Sequence, residues 1–324
     1  VLNDQMVNGQ IVNRKTLVLL LGPTGVGKTE LSLRLAERYG CPIVNCDSRQ
    51  VFRGIPIGTA APTAEEQARV KHYFVATRGP EEDYNAGQYE RDAIALLDKL
   101  FRTHEVVIMT GGSMLYADAV CKGLDDLPSV PAEIRKEVQE SYRKGGLEWL
   151  QAEVQRLDPD YWEEVDRSNP ARLSHCVELS LVTGKPYSSL RTHSAKERPF
   201  RIVKVALRRE REELYKRINA RVLKMMANGL EQEARSVYPL RHLPSLQTVG
   251  YRELFGFFDG EYDRERAVEL IQQNTRHYAK RQMTWFNRDK EIHWLNADDD
   301  YEKNTAIIDA LLRDDVVQES DYRV

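Results

Sequence analysis

Lys15-Thr-Leu-Val-Leu-Leu-Leu21 runs into Gly22-Pro23-Thr24-Gly25-Val26-Gly27-Lys28-Thr29, and Glu30-Leu-Ser-Leu-Arg-Leu-Ala-Glu-Arg-Tyr39 follows. The first block is a short apolar run of strand type, and the third is helical in pattern. The middle block fits G-x-x-x-x-G-K-[ST] in full, between a strand and a helix as that motif requires. In such a loop the glycines let backbone N–H groups turn inward around phosphate oxygens. The helix N-terminus adds its positive end, and Lys28 supplies a mobile charge. The Thr29 hydroxyl is positioned to hold Mg²⁺ beside the phosphates. The loop from Gly22 to Thr29 is therefore expected to bind a phosphate or diphosphate.

Outward from this loop the same alternation continues. Pro42 to Cys46 is a second strand ending at Asp47, Gly87 to Arg102 is helical, and Glu105 to Thr110 is a buried strand leading into Gly111-Gly112. Strands alternating with helices predict a parallel sheet. The strand ending at Thr110 carries no carboxylate to hold Mg²⁺ as in most ATPases of this kind. The acid that follows a strand is Asp47, well placed at the C-terminal sheet edge as a general base. After Gly123 the texture changes: Leu127 to Pro131 punctuates, and Ala132 to about Leu190 is almost wholly helical. Arg201 to Leu207 reads as a returning strand, and helical patterns fill most of the rest. The expected fold is α/β, a P-loop NTPase-like parallel sheet with a helical insertion. Its expected parts are a leader over 1–13, the core over 14–124, the insertion over 125–200, a core continuation with basic helices over 201–295, and an acidic C-terminal helix or tail over 296–324.

Charge is unevenly spread. The 324 residues carry 47 Lys and Arg against 50 Asp and Glu, which excludes a globally basic nucleic-acid binder. Locally the balance differs: Arg201 to Met225 has nine bases and three acids, and Arg276 to Lys290 five bases and one acid. Two basic helices with Tyr278, Trp285 and Phe286 interleaved favour an anionic polymer as partner. The apolar run at Leu17 to Leu21 is far too short for a bilayer span. Cys41, Cys46, Cys121 and Cys176 lack paired spacing and read as buried, reduced thiols of a cytosolic enzyme. The seven histidines show no metal-ligand spacing.

The blocks taken in order closely resemble the tRNA dimethylallyltransferases (isopentenyltransferases). They are Gly22 to Thr29, Asp47-Ser48-Arg49-Gln50 to Gly54, Ile57 to Pro62, Gly111 to Tyr116, Asn169 to Ser174, Val249 to Arg252, and Thr275 to Trp285. They span nearly the whole chain, from about Lys15 to Leu295. The sequence departs from the family's pattern at His175-Cys176, where most relatives have Arg in place of His175, and at Lys71 to Val75.

The resemblance implies transfer of a dimethylallyl group from its diphosphate to the exocyclic amine of the tRNA adenosine 3′ of the anticodon. By it, Asp47, Thr24 and Arg221 would be catalytic, and Arg217, one helical turn from Arg221, would help clamp the diphosphate. Asp47, Ser48, Arg49 and Gln50, with Ser113, would contact the flipped base and its neighbours. So would Ala171, Arg172, Leu173, Ser174 and His175, and Gln247, Thr248, Val249, Gly250, Tyr251 and Arg252. Lys280 and Arg281 would meet the tRNA backbone, and the insertion would grip the anticodon loop. A monomer acting in the cytoplasm, away from membranes, is the family expectation. Two other readings stand beside it at this stage: an ATP-dependent small-molecule kinase, and a non-catalytic RNA-binding protein whose nucleotide site only switches conformation.

Overall fold

Six parallel strands form the sheet: β1 (Thr16–Leu21), β2 (Ile43–Asn45), β3 (His72–Tyr73), β4 (Val106–Thr110), β5 (Arg201–Arg208) and β6 (His293–Asn296), in the order β3-β2-β4-β1-β5-β6. In this computed structural model residues 15–192 and 194–313 are described, with a two-stranded ribbon of Met6–Val7 and Gln10–Ile11 before them. The expected leader over 1–13 otherwise lies outside the described residues, as do 314–324 at the end.

Strand β1 is central, with Leu17 in register with both Val107 and Ile202. All six of its residues are buried, as a strand covered on both faces requires. The chain steps from β1 past β4 to reach β2, and later crosses to the other side of β1 to form β5. That reversal opens a crevice at the C-terminal ends of β1 and β4, where open α/β sheets bind ligands.

The helices are α1 (Lys28–Tyr39), α2 (Pro56–Thr59), α3 (Ala64–Arg69), α4 (Ala86–Leu100), α5 (Met114–Lys122), α6 (Ala132–Leu157), α7 (Pro159–Glu164), α8 (Pro170–Thr183), α9 (Arg211–Ala227), α10 (Leu230–Val237), α11 (Tyr251–Phe258), α12 (Arg264–Phe286) and α13 (Tyr301–Leu312). They belong to two compact units. The first comprises residues 1–121 and 198–324, the second Lys122–Glu197.

In the first unit, Arg198 starts the returning segment and is tied down by three acceptors. Its Nε donates to Val120 O at 2.8 Å, and its Nη2 donates to Ala119 O at 2.8 Å and to buried Glu90 at 2.9 Å. A second core, beside the sheet, joins α9, α10, α11 and α12 through Val222, Leu230, Ala234, Tyr251, Leu254 and Ile271.

The second unit is helical and has its own core of Val138, Leu150, Val154, Tyr161, Leu173, Cys176 and Val177. Its α6 is broken at Gly146, whose φ of 63° is left-handed backbone that glycine adopts without a Cβ penalty. Asp158, fully buried, accepts the Tyr161 N–H at 3.0 Å and the Ser188 N–H at 2.6 Å, so α7 and the turn after α8 share one carboxylate.

One expectation needs correction, and two features went unread. The helix expected over 296–324 is α13, but β6 precedes it and α13 buries Ile307, Ile308 and Leu311 in the sheet core. Acidic residues on one face of α13 hid an apolar face on the other. The edge strand β3 escaped the sequence reading because two residues carry no periodicity. Cys41, Cys46 and Cys176 are buried, but Cys121 is only half-buried.

Candidate active site

The loop after β1 is held by its own geometry. Gly22 has φ 138°, and a Cβ there would lie 2.8 Å from Leu207 O on the adjacent β5, so no other residue fits without moving the strand. The Val26 side chain is fully buried in the sheet core beneath the loop, which leaves only its backbone for a ligand. Lys28 Nζ donates to Gly22 O at 2.8 Å and Pro23 O at 2.9 Å. Burial and the nearby Arg221 charge pull the Lys28 pKa down to about 8, opposed by the Asp47 carboxylate. Thr29 is exposed at the first turn of α1.

Asp47 follows β2. Its Oδ1 accepts the N–H groups of Arg49, at 2.8 Å, and Gln50, at 3.3 Å, which leaves Oδ2 without a hydrogen bond among the described residues. Strand ends bring the next loop alongside: a Cβ on Gly111 would lie 2.5 Å from the Cys46 carbonyl carbon. Ser113 Oγ accepts the Ser48 N–H at 2.7 Å and donates to Ser48 Oγ at 2.8 Å.

Helix α9 supplies the arginines. Arg217 Nε donates to Gly25 O at 3.1 Å, and Arg221 Nη1 donates to Thr24 Oγ1 at 3.3 Å. Burial lowers the Arg221 pKa, and Asp47 works against that shift. One residue along the helix, Ile218, Val222 and Met225 form an apolar stripe at i, i+4 and i+7.

These residues enclose two joined cavities. One, of about 520 Å³, is lined by Gly25, Gly27, Lys28, Thr29, Arg217 and Gln50. The other, of about 350 Å³, has an apolar wall of Ile218, Val222, Met225, Leu230 and Ile271 and a polar rim of Ser48, Arg49, Gln247, Thr248, Arg252 and Arg281. Thr24, Asp47, Thr59, Arg221 and Tyr278 line both. A chamber lined by the glycine-rich loop and Lys28 thus opens beside an apolar one, with a carboxylate and a guanidinium where they meet.

The family scan matches residues 50–289 to the IPP transferase model. The chain is also 57% identical over 285 residues to tRNA dimethylallyltransferase 2 of Porphyromonas gingivalis, covering 88% of this chain and 95% of that protein. The chain belongs to the IPP transferase family. Among solved structures, the full-length tRNA isopentenylpyrophosphate transferase of Bacillus halodurans superposes with a TM-score of 0.68 at 31% identity, over 93% of this chain and 96% of that one. A eukaryotic dimethylallyltransferase acting on tRNA shares the fold, with a TM-score of 0.81 at 21% identity, over 95% of this chain and 82% of that one. The sheet and its insertion are those of the IPP transferases, a P-loop NTPase-like fold.

Within this IPP transferase, the residues singled out from sequence divide into groups. Thr24, Gly25, Gly27 to Thr29, Asp47 to Gln50, Arg217, Arg221, Gln247 to Gly250 and Arg252 line the two cavities, as does Arg281, whereas Gly22, Pro23 and Val26 are buried behind the loop. Ser113 is joined to Ser48. Lys280 is exposed beside Arg281 on α12. Ala171, Arg172, Ser174 and His175 lie on α8 of the second unit, where His175 packs edge-on to Tyr187 with ring centroids 5.6 Å apart.

Two of the residues expected to contact tRNA face a core instead. Tyr251 is fully buried and donates to Glu233 Oε1 at 2.5 Å, and Leu173 is fully buried in the helical core. Both face inward because a helix turns neighbouring side chains to opposite faces.

The sequence reading missed the apolar wall, Thr59, Tyr278 and Gln282. The stripe Ile218, Val222, Met225 was legible as helical periodicity next to Arg217 and Arg221. Gln282 carried no such signal, since a buried glutamine inside a helix looks like an exposed one.

Proposed function

We propose that this chain transfers a dimethylallyl group from dimethylallyl diphosphate to the exocyclic amine of the adenosine 3′ of a tRNA anticodon, releasing diphosphate. The observation that carries it is the shared position of Asp47, Thr24 and Arg221 between a phosphate chamber and an apolar chamber rimmed by arginines.

In this reading the loop amides, Lys28 and Arg217 hold the diphosphate, and the prenyl group reaches toward the apolar wall. The amine nitrogen attacks the allylic carbon, the carbon–oxygen bond breaks, and its electron pair leaves with the diphosphate. Lys28 and Arg221 stabilise that growing negative charge in a site sheltered from water. Asp47 Oδ2 takes the proton released from the amine, while Oδ1 keeps the carboxylate oriented on the amides of Arg49 and Gln50. Thr24 Oγ1, held by Arg221, orients the reacting oxygens.

Mg²⁺ fits the same arrangement. It binds through few protein oxygens, taking its remaining ligands from phosphate and water. Thr29 offers such an oxygen beside the chamber, and among the described residues no cluster of three His, Cys, Asp or Glu is built to hold a metal alone. When bound, the ion would neutralise diphosphate charge.

The adenosine must leave its stack to reach Asp47, as for other enzymes that modify a base. Ser48, Arg49, Gln50, Ser113, Gln247 to Gly250 and Arg252 would receive it and its neighbours. Lys280 and Arg281 would meet the backbone, and α8, through Ala171, Arg172, Ser174 and His175, would grip the anticodon stem-loop. No helix of the described residues is long and apolar enough to cross a membrane. The chain would act as a monomer on tRNA, in the cytoplasm where its substrate is.

The test uses unmodified tRNA, Mg²⁺ and radiolabelled dimethylallyl diphosphate, with ATP in a parallel reaction. Label in RNA without ATP, located by digestion to the adenosine 3′ of the anticodon, is the expected result. ATP turnover with unlabelled RNA would discard the donor assignment.

A further inference from the structure

Thr59, which lines both cavities, belongs to a short segment, Ile55 to Ala60, that is held at both ends. At its start, Glu233 of α10 accepts the Ile57 N–H with Oε2 at 2.9 Å and the Gly58 N–H with Oε1 at 2.9 Å. Tyr251 of α11 donates to the same Oε1, and its Oη lies 3.2 Å from Ile55 O. At its end, Gln50 Nε2 donates to Thr59 O and Ala60 O, each at 3.1 Å. Gln50 is also one of the two residues whose N–H binds Asp47 Oδ1.

The segment needs this support. Ala60 sits at φ 47°, left-handed backbone that costs a residue with a Cβ about 1 kcal/mol or more. The packing is close as well, since a Cβ on Gly58 would lie 2.4 Å from Tyr251 Oη. Helix α2 is a single turn and does not stabilise itself. A carboxylate accepting two backbone N–H groups and a phenol O–H is a strong, charge-assisted anchor.

We propose that Glu233 is a positioning residue for the transfer step, deepening the function proposed above. It holds the Ile57–Ala60 turn, and the turn holds the Gln50 side chain and with it the Asp47 turn at the junction of the two chambers. The charged groups assigned to the diphosphate, Lys28 and Arg217, lie on α1 and α9 and make no hydrogen bond to Glu233 among the described residues, while the turn gives that chamber only Thr59 and Ala60. Loosening Glu233 therefore slows transfer and leaves diphosphate binding intact.

The experiment compares the wild-type chain with Glu233→Gln, which sets an amide NH₂ against one of the two N–H groups, and with Tyr251→Phe, which keeps the carboxylate. Single-turnover transfer to tRNA, inorganic diphosphate binding and hydrogen exchange of the peptide covering residues 55–61 are measured well below each variant's melting temperature. For Glu233→Gln we expect exchange at least tenfold faster, transfer at least tenfold slower, and a diphosphate Kd within twofold of wild type. Tyr251→Phe should show the same pattern at about threefold. Unchanged transfer, unchanged exchange, or a diphosphate affinity that falls in step with the rate would overturn the positioning role. A wild-type chain that transfers nothing to tRNA would sink the function proposed above, while exchange would still decide whether Glu233 holds the turn.

Discussion

Gln282 Oε1 accepts the Thr24 N–H at 2.9 Å, and its Nε2 donates to Gly112 O at 2.8 Å, so one buried amide joins the phosphate loop to the loop after β4. The Thr24 amide is thereby committed to protein, and its hydroxyl is left for Arg221. Tyr278, one turn earlier on α12, donates to the same Gly112 O at 3.0 Å. Helix α12 thus sets the spacing of two loops that the sheet alone leaves adjustable.

Gln282→Ala removes both hydrogen bonds at a fully buried position and leaves the Thr24 N–H short of its acceptor. It should cost about 2–4 kcal/mol of folding stability, read by urea denaturation. Transfer should slow at least tenfold at temperatures where the variant stays folded.

Asp47→Asn keeps an oxygen for the Arg49 and Gln50 amides and removes the base. Transfer should fall by about 10²–10⁴-fold, while tRNA affinity, measured by filter binding, changes little. A variant of full activity would exclude Asp47 as the proton acceptor.

Lys28 titrates within a measurable range. Its folded pKa of about 8 lies below the ordinary lysine value of 10.5, so between these values the unfolded chain binds more protons and folding stability rises with pH. Diphosphate prefers the charged lysine, and binding should take up protons near pH 8.5. Dividing wild-type affinity by that of Lys28→Met at each pH cancels the ligand's own titration. That ratio should fall as pH rises through about 8, by calorimetry.

Met225→Trp fills the apolar chamber from the α9 side. Transfer should drop at least tenfold, with inorganic diphosphate binding unchanged, because the loop and its lysine lie in the other chamber. Loss of both together would mean that the two cavities do not divide the substrate as proposed.

Lys280→Ala and Arg281→Ala should each weaken tRNA binding. Each should also lower the slope of log affinity against log salt by about one, as loss of a phosphate contact requires. An unchanged slope would take that residue off the tRNA backbone.

Much of this was legible in the chain. The phosphate loop, the parallel sheet and the helical insertion announce themselves through glycine spacing and short-range periodicity, which are local properties. The roles of Tyr251 and Leu173 were misread because a motif identifies residues without saying which way each one faces. Strand β6 and the buried face of α13 were masked by acidic neighbours, since charge on one face says nothing about the other.

The sequence by itself determined that this chain carries a phosphate loop on an α/β sheet, an aspartate after the second strand and two basic helices. Only the tertiary structure decided that Thr24 meets Gln282, 258 residues away, and that Glu233 anchors the turn at Ile57 and Gly58. Backbone conformation follows from near neighbours and survives in the local pattern. A buried hydrogen bond between distant segments follows from how whole elements pack, and no spacing along the chain encodes it.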